Sequence, residues 1–175
     1  MLERGDIHLG ILLHAVQSQD RPFGRYEVPP VELLAVCHPS FQFKFGKTID
    51  IKALASYPLL LLDTGFVVRK TFDAVCRLAK LKPKIAMESR APSNLLALAE
   101  AGHGVAVIPS VVLTHRYKLR VARITHKGKA LREPLSIMWD SRRVLPRYAR
   151  DFRALLAAHM RTLGSRNPRV GSRRR

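Results

Sequence analysis

Residues 95–110 read LLALAEAGHGVAVIPS, and this stretch decides the predicted fold. Its first half carries leucine and alanine at helical spacing, which predicts a helix with one apolar face. Gly102 and Gly104 follow, and glycine supplies the backbone freedom that a left-handed helix stop and a tight turn require. The run 105–108 is short, mostly β-branched and free of polar residues, which is typical of a strand covered on both faces. The stretch therefore predicts a helix, a sharp turn and a buried strand.

The same order of elements precedes this stretch. The apolar run 58–63 predicts a strand, and an amphipathic helix is predicted over residues 67–81. Residues 83–88 predict the next strand, and the loop after it contains Ser93, which we expect to cap a helix over residues 94–101. Strands that alternate with helices form a parallel sheet, because a parallel partner strand requires a crossover connection. The central part of the chain therefore predicts a small parallel α/β unit.

The segments on either side of this unit predict further strands and a terminal helix. Two extended crossovers then join the central unit to the flanking strands, an arrangement typical of a two-lobed clamp that binds small ligands in its cleft. Before the central unit, the sequence predicts a strand over residues 7–13 and two extended segments within 25–39 that break at Pro29-Pro30, and a short helix is entered from Thr48. After it, strands are predicted over 120–125 and 134–140, followed by a helix over 147–163. The predicted apolar face of this last helix is formed by Phe152, Leu155, Leu156, His159, Met160 and Leu163. The predicted divisions are residues 1–39 with 113–160 for a partial first lobe, 40–112 for a second lobe, and 161–175 for a basic tail.

The composition indicates a folded and strongly basic protein. At 175 residues and 47% hydrophobic content, the chain is long enough to bury a core. Its formal net charge of +18 predicts attraction to polyanions such as nucleic acid or anionic membrane surfaces. Six arginines and no acidic residue lie within 161–175, and the rest of the chain is still basic. This tail is either a solvated, disordered end or an arm that binds polyanions.

The cysteines and the apolar runs indicate the compartment. Cys37 and Cys76 are far apart and form no CxxC pair, so we expect two buried, reduced thiols rather than a disulfide or a metal site. The apolar stretch 7–16 is interrupted by His8 and His14 and lacks a clear cleavage site, which argues against a secretory signal. No run approaches the ~18 apolar residues that span a bilayer. We therefore expect a soluble, cytoplasmic protein with no membrane partner.

Motifs for catalysis, metals and cofactors are missing from the sequence. The segment FGKT at residues 45–48 resembles the end of a phosphate-binding loop, but position 41 is Phe where that motif needs glycine. No nucleophile elbow, zinc-protease motif or specific carboxylate pair is present, and the seven histidines have no metal-ligand spacing. His103, in the Gly-His-Gly turn, is more simply explained as a turn residue than as a ligand contact or a base. We therefore predict a protein that is not an enzyme and that has no catalytic residue, metal or cofactor.

The most informative polar groups lie just before two predicted helices. The segment 64–66 and the loop 89–94 follow neighbouring strands, so their backbone N–H groups are expected at one edge of the sheet. The positive end of a helix dipole favours a carboxylate or phosphate there. Hydroxyl and amide side chains of these loops can add hydrogen bonds, and nearby arginines can add a charge-assisted one. The alternative is that the hydroxyls only cap helices and the arginines only cover the surface. The side chains concerned are Thr64, Ser89, Ser93 and Asn94, with Arg69 and Arg90.

Three segments, in this order along the chain, resemble a known family. They are LERGDIHLGI at residues 2–11, YPLLLLDTGFVVRKTFD at 57–73 and ESRAPSNLLALAEAGHGVAVIPS at 88–110. Together they resemble the effector-binding domain of LysR-type transcriptional regulators, which has the type II periplasmic-binding-protein fold. The resemblance covers residues 2–160, and its most specific part is the Ala/Leu helix that ends in A-G-x-G before an apolar strand. It implies a two-lobed α/β domain that binds a small, often anionic effector between its lobes.

The resemblance also implies site residues and partners. The loops DTGFVVR and SRAPSN match the family's pocket-lining loops of the second lobe, residues 37–39 and 108–110 match its crossover strands, and residues 13–14 match a first-lobe loop. Two or four copies are expected to associate through their effector domains, and DNA is expected to be bound by a helix-turn-helix that has no counterpart in this chain. The implied ligand-binding residues are Thr64, Gly65, Phe66, Val67, Arg69, Ser89, Arg90, Ser93, Asn94, Pro109, Leu13, His14 and His38.

Some positions depart from the family pattern. His8 stands where the family usually has an acid, and residues 66–68 stand where small polar residues are common, so we expect weaker anion binding on that loop. The family's winged helix-turn-helix, linker helix and first strands of lobe one have no counterpart, so the first lobe is expected to have an incomplete sheet with an exposed edge. The leading hypothesis is an effector sensor. The alternatives are a solute-binding protein of the same fold, a basic nucleic-acid-binding fragment and an enzyme of this fold.

Overall fold

The computed structural model of the chain describes residues 1–13, 23–41, 46–112 and 114–166. His14 and most of the basic tail, which carried two of the predictions, lie outside the described residues. The described chain forms two compact units, and strands and helices in both of them confirm the predicted α/β class. The first unit contains Met1–Val31 and Glu133–Ser165, and the second contains Glu32–Arg132.

The strands are β1 (Gly10–Leu13), β2 (Phe23–Cys37), β3 (Thr48–Asp50), β4 (Pro58–Leu62), β5 (Lys84–Ser89), β6 (Val105–Pro109), β7 (Arg120–His126), β8 (Lys129–Ala130) and β9 (Arg132–Asp140). The helices are α1 (Ile51–Leu54), α2 (Val67–Leu78), α3 (Pro92–Glu100) and α4 (Arg147–Arg166).

In the second unit the strands β2, β6, β4 and β5 lie side by side in that order, and β7 pairs with β2, β3 and β8. β4 is parallel to both β5 and β6, and Leu62 lies opposite Ser89. The carboxyl ends of these three strands therefore meet at one edge of the sheet, which we call the carboxyl edge. β2 runs antiparallel to β6 and pairs Leu33 with Pro109, so the part of β2 just before Leu33 reaches the same edge.

Apolar side chains of the sheet and of two helices form the core of this unit. Residues 59–62 of β4 and 105–108 of β6 are buried, as their unbroken apolar runs predicted. Phe72 of α2 and Leu95 of α3 are fully buried as well. Burial of a side chain of this size contributes roughly 1.5–3 kcal/mol. The two helices are thereby fixed with their first turns at the carboxyl edge.

The Gly-His-Gly turn forms as the opening stretch predicted. α3 ends at Glu100, and Gly102 adopts a φ of +83°, the left-handed conformation that favours glycine. The His103 N–H donates to the Leu98 carbonyl at 3.0 Å, which closes the helix end. A Cβ at Gly104 would lie 2.5 Å from the Pro58 carbonyl oxygen, so glycine lets β6 approach the start of β4. The two glycines therefore have different physical roles.

Three predicted details of the elements are wrong. β2 continues through Pro29-Pro30 as one strand, because both prolines are exposed and an extended strand accommodates their fixed φ where no ladder N–H is needed. Thr48 lies in β3, and α1 begins later because the Asp50 carboxylate accepts a hydrogen bond from the Lys52 N–H at 2.9 Å. Ser93 does not cap α3: the helix already begins at Pro92, whose missing N–H suits a first helical position.

In the first unit β9 lies between β1 and β2, and it runs antiparallel to β1 with Leu13 opposite Leu135. The terminal helix α4 is present as predicted, but its predicted apolar face is partly wrong. Phe152 and Leu155 are 56% and 69% exposed, whereas the small Ala149 and Ala157 are buried. The Arg153 guanidinium stacks 4.3 Å from the Trp139 ring centroid, which turns the Arg153 side of the helix inward. In the first unit, therefore, helical spacing predicted the helix but not its orientation about its axis.

Both cysteines are buried and unpaired, which confirms the expectation of packed thiols. Burial raises the pKa of each thiol to about 11, so neither is a reactive thiolate at neutral pH. Across the described ranges, none of the helices is both long enough and apolar enough to cross a lipid bilayer.

Candidate functional site

The loop after β4 is shaped by Asp63. Its Oδ1 accepts a hydrogen bond from the Gly65 N–H at 2.8 Å, and its carbonyl accepts one from the Phe66 N–H at 3.1 Å. An Asp side chain that bonds the N–H two residues later forms an Asx turn, which is the local signal that marks this residue in the sequence. Asp63 was not among the predicted site residues, although the Asp-Thr-Gly sequence carries that signal. The turn leaves Thr64 exposed at the carboxyl edge.

The loop after β5 lies against the first loop. The Asp63 N–H donates to the Ser89 carbonyl at 3.1 Å, and the Arg90 Nε donates to Asp63 Oδ2 at 3.2 Å. The Gly65 N–H and the Arg90 guanidinium together lower the pKa of the Asp63 carboxyl below its ordinary value. The Ser89 Oγ accepts the Ala91 N–H at 3.1 Å, so this hydroxyl shapes its own loop. The structure therefore brings the two predicted loops together through both the backbone and the carboxylate of Asp63.

Both helices that start at this edge lack a side-chain cap. The N-cap residues are Phe66 for α2 and Ala91 for α3, and neither makes a side-chain hydrogen bond to the first turn. Ser93 and Asn94 are exposed in the first turn of α3. Uncapped first-turn N–H groups, the helix dipoles and neighbouring hydroxyl and amide groups together suit a ligand carboxylate.

Arg69 has a different environment from the other predicted residues. It is 7% exposed, and its Nη1 donates to the Leu62 carbonyl at 2.7 Å. Its Nε lies 2.9 Å from the Asp73 carboxylate, and its Nη2 lies 2.7 Å from Glu88 Oε1. The guanidinium thus ties α2 to the ends of β4 and β5. A ligand at Arg69 would have to compete with two carboxylates and a carbonyl. Arg69 therefore contributes to the carboxyl edge by holding α2 in position rather than by contacting a ligand.

The end of β6 reaches the same edge beside β2. Pro109 is half-buried opposite Leu33, and the Ser110 N–H donates to the Glu32 carbonyl at 2.8 Å. In return the Ser110 Oγ accepts the Glu32 N–H at 3.0 Å. Pairing with β2 and the two hydrogen bonds of Ser110 therefore hold Pro109 at the carboxyl edge.

Two predicted residues lie elsewhere. His38 follows β2 at its carboxyl end, where Val36 pairs with Ala106 near the start of β6, so it lies at the opposite edge of this sheet. Its Nδ1 is 2.6 Å from the Ser40 Oγ. Leu13 ends β1 in the first unit. The structure therefore does not bring His38 to the carboxyl edge. No group of histidine, cysteine and acidic residues in the described ranges is arranged to hold a metal ion.

Comparisons with known proteins identify the family. The family model described as LysR substrate binding domain matches residues 1–161. The HTH-type transcriptional regulator YybE of Bacillus subtilis (strain 168) is 22% identical over 158 residues, which cover 90% of this chain and 53% of that protein. The chain thus spans about half the length of this curated relative.

Solved structures of the same fold support this result. The effector binding domain of QuiR in complex with shikimate is 14% identical, has a TM-score of 0.68, and is matched over 92% of this chain and 75% of that chain. HinK, a LysR family transcriptional regulator from Pseudomonas aeruginosa, is 19% identical with a TM-score of 0.70, over 93% and 56% of the two chains. These likenesses confirm the type II periplasmic-binding-protein-like fold. Because the family model matches residues 1–161 of the 175, the chain belongs to the LysR substrate-binding-domain family.

Proposed function

We propose that this chain senses a small, carboxylate-bearing effector and that the carboxyl edge of the second unit holds the carboxylate. The single observation that carries this proposal is the pair of loops joined through Asp63 at the start of two uncapped helices. The effector domain of QuiR was solved with shikimate, itself a carboxylate, which supports this ligand class. The ligand residues that we assign to the edge are Thr64, Gly65, Phe66, Val67, Ser89, Arg90, Ser93, Asn94 and Pro109, with Arg69 as a positioning residue.

The proposed contacts follow from hydrogen-bond chemistry. The exposed Thr64 and Ser93 hydroxyls and the first-turn N–H groups are donors, and Arg90 adds positive charge. The half-buried Phe66 and Val67 supply apolar surface for the rest of the molecule. A hydrogen bond to a charged group contributes about 1.5–3 kcal/mol, which corresponds to roughly a ten- to hundredfold change in affinity. Removal of one donor is therefore measurable.

Isothermal titration tests the proposal. A set of small carboxylates that includes shikimate is titrated into the parent chain, with the corresponding neutral amides as ligand controls. We expect a carboxylate that binds the parent to bind about tenfold more weakly to Thr64→Val and to Ser93→Ala. Ser56→Ala is the matched control, because Ser56 is exposed just before β4 at the opposite edge. Equal affinity of all three variants and the parent contradicts the assignment of the carboxyl edge.

The role in the whole protein is also part of the proposal. We propose that effector binding here controls transcription, because YybE and HinK are transcriptional regulators, and that the chain itself catalyses no reaction. DNA would be read by a helix-turn-helix outside this sequence, in the cytoplasm, by a dimer or tetramer formed through effector domains. The Arg-rich tail would add only non-specific contact to DNA. The division into lobes of residues 1–39 with 113–160 and of residues 40–112 belongs to this proposal as well.

A further inference from the structure

A cavity lies within the first unit. Its volume is about 400 Å³, within the ~300–1,000 Å³ that is common for small-molecule sites. It lies beside the amino end of β1, because its walls include Ile7 and His8 from just before that strand and Asp140 from the far end of β9. The lining residues are Leu2, Gly5, Ile7, His8, Asp140, Arg143, Val144 and Leu145.

Its walls combine an apolar surface with one cation that faces the space. Leucine, isoleucine and valine side chains form the apolar part. Asp140 is 4% exposed and is held by Arg142, whose Nε and Nη2 donate to its two oxygens at 3.0 and 2.8 Å. Glu3 also interacts electrostatically with Arg142, to a smaller extent than Asp140 does. Arg143 is the guanidinium that lines the cavity itself.

Arg143 is positioned over the cavity by specific contacts. Its Nη2 donates to the Glu3 carbonyl at 3.2 Å, and its Nε is 3.7 Å from Asp140 Oδ2. A Cβ at Gly5 would lie 2.2 Å from the Arg143 Nη1, so glycine at this position makes room for the guanidinium. A guanidinium has five N–H donors, and these two contacts leave donors for a bidentate carboxylate.

His8 adds a polar wall that is held in place by α4. Its ring makes an edge-to-face contact with the Tyr148 ring, with 5.5 Å between the ring centroids. The Tyr148 hydroxyl oxygen is 3.3 Å from the His8 Nε2. Imidazole N–H is a donor in every protonation state. The net charge of +18 further favours anions near this surface.

We propose that this cavity is a second ligand site, and that it takes a small carboxylic acid with an aromatic or branched apolar body. The carboxylate bonds Arg143 and His8, and the body packs on Leu2, Ile7 and Leu145. The site is separate from the residues assigned to the effector. Leu13, the described effector candidate of this unit, ends β1 five residues after His8, a separation of about 16 Å in an extended strand.

The probe is 2-naphthoate, with the neutral 2-naphthamide as its matched ligand. We expect saturable binding of 2-naphthoate to the full chain in isothermal titration, and at least tenfold weaker binding of the amide. Arg143→Gln is expected to weaken 2-naphthoate binding at least tenfold. Arg147→Gln, which removes an equal charge from an exposed position at the start of α4, is expected to leave it unchanged. Circular dichroism of each variant verifies that it is folded.

Two further variants and one further ligand complete the experiment. Ile7→Trp fills the apolar part of the cavity without altering the charge, and it is expected to abolish 2-naphthoate binding. This variant replaces Arg143→Gln in the test if Arg143→Gln does not fold. Arg90→Gln alters the carboxyl edge of the second unit and is expected to have no effect on 2-naphthoate. The proposal is overturned if no saturable binding occurs, if Arg147→Gln loses as much affinity as Arg143→Gln, or if Arg90→Gln alone loses it. It is equally overturned if 2-naphthylmethylamine binds more tightly than the acid, since Asp140 would then be the recognising group.

Discussion

The Asp63 side chain makes two separate hydrogen bonds at the carboxyl edge. It shapes its own loop through the Gly65 N–H and holds the next loop through Arg90. Removal of its carboxylate breaks both side-chain contacts, keeps the backbone bond to Ser89, and does not alter the hydroxyls that we assign to the ligand. A residue of this kind affects binding by fixing the positions of other groups.

Asp63→Ala is expected to weaken binding of any carboxylate effector by about tenfold, because each loop loses a side-chain hydrogen bond that fixes its position. Asp50→Ala is a matched control, since Asp50 makes a similar turn hydrogen bond to the Lys52 N–H at the start of α1. Loss of that cap costs about 1 kcal/mol of stability but leaves the carboxyl edge intact. Titration of both variants with the same ligand distinguishes these effects. Equal affinities of the two variants contradict the role given to Asp63.

Asp140 makes a pH-dependent contribution to the stability of the first unit. Arg142 lowers the pKa of its carboxyl from 3.8 to about 2. A carboxyl whose pKa is lower in the folded state stabilises the fold above its unfolded pKa, and this contribution disappears as the pH falls through the folded value. We therefore expect stability to fall between pH 4 and pH 2, and this fall to be smaller in Asp140→Asn. Urea unfolding across this range measures it, with Asp151→Asn, an exposed acid on α4, as the control. Identical pH profiles for Asp140→Asn and the parent would rule out this contribution.

At the scale of elements, Arg69 connects one helix to two strands. Arg69→Met keeps much of the buried volume but leaves the Leu62 carbonyl, Asp73 and Glu88 without this donor. Because both acids retain some solvent contact, we expect a loss of about 2 kcal/mol in the free energy of unfolding. Arg77→Met on the same helix, at an exposed position, is expected to change stability by less than about 0.5 kcal/mol. Chemical denaturation provides the measurement, and equal losses would show that the ties of Arg69 are not stabilising.

The turn between α3 and β6 gives a second test at this scale. Gly104→Ala places a Cβ 2.5 Å from the Pro58 carbonyl oxygen, so β6 and β4 must separate, at a cost of about 1–3 kcal/mol. Gly102→Ala meets no neighbouring atom and costs only the left-handed conformation, about 1–2 kcal/mol. Gly102→Asn should recover part of that loss because asparagine tolerates this conformation, whereas Gly104→Asn should be worse than Gly104→Ala. Thermal melting of the four variants checks the order, and recovery at both positions would contradict the distinction.

At the scale of the whole molecule, the charge predicts non-specific attraction to DNA. Removal of residues 167–175 deletes four arginines and leaves α4 complete. If the tail binds phosphates, the slope of log K against log salt falls by about 0.9 for each lost contact. Fluorescence anisotropy of a labelled duplex measures the slope, and replacement of the same four arginines by glutamine in the full chain is the control. An unchanged slope in both variants means that the tail is only a solvated end.

Local patterns predicted the elements of the second unit well. Apolar runs identified β4 and β6, and the glycine pair identified the turn before β6, because burial on both faces and left-handed backbone each require particular residue types. The starts of α1 and α3 were misplaced, because Asp50 and Pro92 compete with neighbouring Thr48 and Ser93 as start signals. Such competition is settled by the hydrogen bonds that each alternative can make in the folded chain.

By itself, the sequence determined the α/β class, the order of the elements and the two loops that lie at the carboxyl edge, since these follow from residue periodicity and from chain connectivity. Tertiary structure alone decided that Asp63 joins the loops, that Arg69 is enclosed by acids, and that His38 lies at the opposite edge. It also decided that α4 turns Phe152 and Leu155 to solvent. These outcomes depend on strand register and on partners distant in sequence, and no local spacing of residues encodes either.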